Sequence, residues 1–76
     1  MEIAEFVDTR RPRWAALEKL LEQAEAKGLK SLGLEEARSL SRLYRSASSD
    51  LLWVRSRAGA ADVSGYVNDL VGRAYA

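Results

Sequence analysis

The chain has 76 residues, 12 Lys and Arg against 11 Asp and Glu, and neither cysteine nor histidine. That composition excludes disulfide staples and thiolate metal sites, and it removes the side chain best placed for proton transfer near neutral pH. The net charge of +1 is too small to draw nucleic acid by bulk electrostatics, and so short a chain makes one thin-cored domain or part of a longer protein.

Apolar residues recur at helical spacing almost throughout. Ile3, Val7, Trp14, Leu17, Leu21 and Ala24 fall on steps of three and four, with Arg10 in the missing place and Phe6 and Leu20 widening the stripe. A helix over about 3–27 is predicted. Pro12 interrupts it, because a proline removes one backbone bond and crowds the carbonyl four residues earlier. The segment is therefore either one kinked helix or a short leading turn followed by a helix capped by Thr9. At its end Lys27 suits the helix dipole, Gly28 suits a left-handed cap, and Leu29 could fold back on the last turn.

A second helix is predicted over about 34–57, with Glu35 and Glu36 in its first turn. Ala37, Leu40, Tyr44, Ala47, Leu51 and Val54 make a heptad seam for lengthwise packing, flanked by Leu43 and Leu52. The run Ala58-Gly59-Ala60-Ala61 breaks the pattern, and Asp62 is expected to cap a third helix over about 62–76. Val63, Val67, Leu70 and Ala74 form its inner face, with Tyr66 and Val71 beside it, and no glycine or proline closes it before Ala76. The fold predicted is all-α: a small antiparallel three-helix bundle forming a single helical domain over residues 1–76, with the first helix kinked or broken near Pro12.

Candidate chemistry is sparse. Arg10, Arg11, Arg13 and Trp14 form the densest basic and aromatic cluster, able in principle to hold phosphate groups. The plainer reading, which is favoured, puts Trp14 in the core and pairs the arginines with Glu5 and Asp8. Arg38, Arg42 and Arg45 line one face of the second helix, as arginines do on a DNA-reading helix. With Glu35 one turn away and no Asn or Gln beside them, a solvated face paired with Glu18, Glu22 and Glu25 is favoured. Asp50 lies beside the seam and needs a partner, Arg10 or Tyr66, to fix helix register. Tyr44, Asp50 and Tyr66 are thus structural polar candidates. Trp53 either packs on the third helix, the favoured reading, or marks a partner surface. No base stands ready to activate a serine, and no catalytic, cofactor-binding or metal-ligating set is visible.

No apolar run approaches the roughly 18 residues that span a bilayer, and Met1-Glu2-Ile3-Ala4-Glu5 lacks the basic and apolar stretches of a secretory signal. The chain as given is expected to be soluble and to face a cytoplasm.

Three groups of residues, taken in order, carry a resemblance. They are Phe6-Val7-Asp8-Thr9-Arg10-Arg11-Pro12-Arg13-Trp14 with Leu17-Glu18; Leu43-Tyr44-Arg45 with Ser48-Ser49-Asp50-Leu51; and Tyr66-Val67-Asn68 with Leu70-Val71-Gly72-Arg73-Ala74-Tyr75-Ala76. Along its whole length the chain resembles the N-terminal region of the stage II sporulation protein M family of bacterial integral membrane proteins. It departs at Gly33-Leu34, where a Ser-Pro type cap is expected. The resemblance implies a cytosolic segment ahead of several transmembrane helices, on the inner face of a bacterial membrane, with Arg73 as a basic cytoplasmic flank. In spore formers the namesake acts in engulfment with partners that remodel peptidoglycan, a role not carried over to this chain.

The expected function is a non-enzymatic scaffold or protein-interaction element without cofactor. Its expected partners are other proteins, the membrane part of its own full-length chain, or a second copy. The alternative is a small soluble nucleic-acid-binding protein using Arg38, Arg42 and Arg45. Arg11, Arg13 and Trp53 are the expected outward contacts.

Overall fold

The computed structural model describes residues 2–57 and 59–75. Three α-helices follow one another, α1 (Ile3–Lys27), α2 (Leu34–Arg55) and α3 (Ala61–Tyr75), with a 3-10 turn at Leu29–Ser31 after the first. Ala58, in the predicted break, and Ala76, the predicted end of the third helix, lie outside the described residues. Among those residues no helix is long and apolar enough to cross a membrane.

Pro12 lies inside α1 without dividing it, so the two-piece reading is corrected to one helix. Pro12 and Asp8 both lie on the exposed side, where the Asp8 carbonyl, deprived of its amide partner by the proline, remains open to water. Phe6 on one side and Trp14, Leu17 and Leu21 on the other are buried, which anchors the helix on both flanks of the proline. Thr9 caps nothing: its hydroxyl donates back to the Glu5 carbonyl at 2.8 Å, as a mid-helix threonine does.

The α1 terminus is set by Gly28, whose N–H donates to the Ala24 carbonyl at 2.8 Å. Its φ of +86° disfavours any side chain, but its ψ of 157° lies in the mirror-extended region, not in the left-handed helical one expected. The chain therefore turns outward, and Leu29 stays exposed instead of folding back. At the start of α2 half of a capping box forms, with the Glu36 carboxylate accepting from the Gly33 N–H at 3.0 Å. Glycine has no side chain to reciprocate. Asp62 sits in the first turn of α3, one residue inside it, so it meets the dipole and does not cap. Ala60, expected in the loop, is instead buried where α3 begins.

Contacts give the topology. Phe6 stacks on Trp53, Arg10 and Trp14 reach Asp50, and Gln23 reaches Ser31, so α1 and α2 run antiparallel. Tyr66 bonds Glu18 and Arg73 bonds Glu25, each 48 residues apart, so α3 returns parallel to α1. The molecule measures 39 × 19 × 15 Å, its long axis matching the ~37 Å expected of a 25-residue helix.

The core is Phe6, Trp14, Leu17 and Leu21 from α1, Ala47, Leu51 and Val54 from α2, and Ala60, Val67 and Leu70 at and within α3. The α2 seam is buried only in its second half. Ala37 is exposed and Leu40 and Tyr44 are half-buried, because α3 covers the later turns. Leu52, expected to flank the seam, is 70% exposed.

Truncating Leu17, which has no exposed surface, costs about 2–5 kcal/mol, comparable to the whole ~3–5 kcal/mol available to so small a core. Leu17→Ala is expected to leave the isolated domain largely unfolded by far-UV circular dichroism at room temperature. A cooperative melt close to that of the parent would contradict this core.

Candidate functional site

The heptad of α2 turns Asp50 inward with Ala47, Leu51 and Val54, and a carboxylate buried among apolar neighbours must be matched by donors. Two come from α1. Arg10 donates through Nε to Oδ1 at 3.0 Å, and the buried Trp14 donates through Nε1 to Oδ2 at 3.0 Å. One helical turn separates these donors, so they stand one above the other on one face of α1. Both carboxylate oxygens are engaged, and among the described residues no buried side-chain polar atom lacks a partner.

Aromatic rings extend this node. The Arg10 guanidinium lies 4.9 Å from the Phe6 centroid, Phe6 stacks on Trp53 at 3.9 Å and 14°, and Arg57 caps the far face of Trp53 at 4.2 Å. Cation, ring, ring and cation thus form one column between α1 and the end of α2. On its other side Trp14 meets Tyr66 of α3 edge-on at 6.2 Å. Trp53 therefore packs on α1, not on the third helix, because the antiparallel register puts it opposite Phe6.

A second polar network joins α1 to α3. The Tyr66 hydroxyl donates to Glu18 at 3.1 Å, and Arg73 grips Glu25 through Nε at 2.9 Å and through a terminal nitrogen at 2.7 Å. Arg73 also approaches Asp69 at 3.5 Å and Glu18 at 3.9 Å. Desolvation first, then the Glu18 carboxylate beside it, push the Tyr66 phenol above its ordinary 10.0. The Arg73 hydrogen bond holds Glu25 below the ordinary carboxylate value of 4.5. The stabilisation this gives is present above that value and lost as pH falls through the lowered one.

These contacts correct several expectations. Trp14 is core, as the favoured reading has it, and Arg10 is the partner of Asp50, one of the two the sequence offers, whereas among the described residues no pair forms with Glu5 or Asp8. Glu18 and Glu25 face α3, not the arginines of α2, and Arg73 is a bundle residue held by carboxylates. Tyr66 serves Glu18 and not Asp50. Tyr44 is half-buried, with no side-chain hydrogen bond among the described residues.

Consecutive helical residues point about 100° apart, so the basic cluster is split. Arg10 turns to α2, and Arg11 lines a groove of about 320 Å³ between α1 and α3 with Val7, Trp14, Asp62, Val63 and Tyr66. Arg13 lines a cleft on the opposite, α1–α2 side with Arg42, Leu43 and Ser46. Of the other two arginines predicted to line that face of α2, Arg38 pairs with Glu35 at 3.5 Å and Arg45 is exposed. Among the described residues no group of three or more acidic side chains could hold a metal ion.

The architecture is that of an all-helical bundle whose buried polar groups join helix to helix. The chain belongs to the family of the domain of unknown function DUF8413, whose model matches residues 4–76. No curated protein and no solved structure matches it.

Removing the Asp50 carboxylate leaves Arg10 and the Trp14 N–H without their acceptor. Asp50→Ala is expected to destabilise by about 3 kcal/mol, and Arg10→Met in the same chain to restore part of the loss. Urea titrations of the four members of the cycle measure this, and a cost for Asp50→Ala below ~1 kcal/mol would remove the node from the account.

The raised Tyr66 phenol gives a second outcome. Stability owed to its protonated form is complete below pH 10.0, the ordinary value, and is lost as pH rises through the folded one. In ultraviolet titration the signal lost in Tyr66→Phe is expected to have its midpoint above 10.0, and Glu18→Gln to move it part of the way back. A midpoint indifferent to Glu18 would refute the second cause.

Proposed function

We propose that this chain is a non-enzymatic helical domain on the cytosolic side of a bacterial integral membrane protein resembling the stage II sporulation protein M family. It serves there as a scaffold or protein-interaction element.

The observation that carries this reading is where the motif residues sit. Phe6, Arg10, Trp14 and Leu17, then Asp50 and Leu51, then Tyr66, Val67 and Leu70 are the positions that build the nodes and core joining the three helices. The resemblance therefore concerns residues that specify a bundle. Such residues supply a stable body with surfaces and no reacting group. What remains outside is suited to recognition: the partly apolar α1–α3 groove with Arg11 and Asp62 among its lining residues, and the exposed Tyr75. In the DNA-reading alternative Arg38 would have to leave Glu35.

The test is to express the native gene product with an N-terminal epitope tag in its host and to fractionate the cells. The product is expected in the membrane fraction after alkaline carbonate washing, with the tag digested by protease in inside-out vesicles and protected in intact spheroplasts. Recovery of the product in the soluble fraction would overturn the reading.

A further inference from the structure

The arginines of this domain are not equally neutralised. Arg10 is matched by Asp50, Arg38 by Glu35 and Arg73 by Glu25. Arg13 and Arg42 have no ion pair among the described residues, and their sequence neighbourhoods explain why. Three and four residues to either side of Arg13 stand Arg10, Thr9, Ala16 and Leu17, and around Arg42 stand Ser39, Arg38, Arg45 and Ser46. Neither has an acidic residue within a helical turn, and both have cations there, an arrangement that raises the energy of the free state.

The antiparallel packing of α1 on α2 then places these two arginines on one cleft of about 270 Å³, with Leu43 and the Ser46 residue as its other walls. Arg42 is oriented by its bond to the Ser39 hydroxyl at 3.0 Å. The cleft adjoins a larger groove of about 540 Å³ that shares Arg42 and Leu43 and adds Lys19 and Leu20. The carboxylates at the far end of that groove are already engaged, Glu35 by Arg38 and Glu36 by the Gly33 N–H.

We propose that Arg13 and Arg42, from two different helices, form with Ser46 a binding site for a phosphate group, either free or as the headgroup of an anionic lipid. Two guanidinium groups that line one cleft, neither with a carboxylate partner among the described residues, match the oxygens of a tetrahedral anion. The proposal goes beyond the membrane reading and stands independently of it.

The folded domain would be titrated with inorganic phosphate at low ionic strength, followed by amide and arginine Nε nuclear magnetic resonance. It would also be sedimented with vesicles of phosphatidylglycerol and phosphatidylcholine or of phosphatidylcholine alone. Saturable shifts are expected at Arg13, Arg42 and Ser46, weakened about tenfold or more in Arg13→Ala/Arg42→Ala. Lys30→Ala/Arg55→Ala, which removes the same net charge outside the cleft, is expected to leave them unchanged. Arg13→Lys/Arg42→Lys keeps the charge without the fork and is expected to bind at an intermediate level. If the anionic vesicles sediment the domain with the same dependence on Arg13 and Arg42, the source is a lipid headgroup; saturable phosphate binding without vesicle binding assigns a free phosphate. Equal weakening by the cleft and control variants, or no binding to either probe, would overturn the proposal.

Discussion

The carboxylate of Asp50 ties this small bundle together. It sits among apolar side chains of α2, where an unmatched charge would not be tolerated, and it is matched only when one face of α1 brings Arg10 and Trp14 opposite it. A slip of one turn between the helices would leave a buried acceptor, a buried indole N–H and a guanidinium unpaired together. Hydrophobic burial alone is non-directional, and Leu17 or Leu21 would pack nearly as well against a shifted α2. The polar node turns a generic amphipathic pair into one register.

The rest of the fold follows outward from that register. Once Arg10 and Trp14 are set on Asp50, Phe6 lies one turn before Arg10 and meets Trp53, and Trp14 presents its other edge to Tyr66. Tyr66 reaches Glu18, one turn beyond Trp14, and seven residues further along each helix Arg73 reaches Glu25. The polar part of the α1–α2 contact is a buried pair beside stacked rings, whereas the polar part of the α1–α3 contact lies at the solvent edge. Exposed pairs are screened by water and salt, so the third helix is held to α1 largely by Val67 and Leu70 in the shared core and only secondarily by Arg73.

The same geometry explains how four neighbouring basic and aromatic residues come to four different placements. Helical rotation sends Arg10 to α2, Arg11 to the α3 groove and Arg13 to the outer α1–α2 cleft, while Trp14 is covered. A cluster in sequence is thereby dispersed, and a different one is assembled in space from Arg13 and Arg42, 29 positions apart.

Helix number, order and approximate extent were determined by sequence alone, because the three-four spacing of apolar residues and the glycine stops act locally and repeat many times. The need of Asp50 for a partner was also legible, since a carboxylate beside a seam requires one. Arg10 was one of the two partners the sequence offered; not legible was that Arg10 rather than Tyr66 would meet it, that Trp14 would join, that Trp53 would lie on Phe6, or that Glu18 and Glu25 would turn to Tyr66 and Arg73. Those pairings depend on which helix faces which and in what direction, and nothing within a single helix records it. Likewise, the continuity of α1 through Pro12 was decided by tertiary packing on both sides of the proline, whose local cost the sequence displays without its remedy.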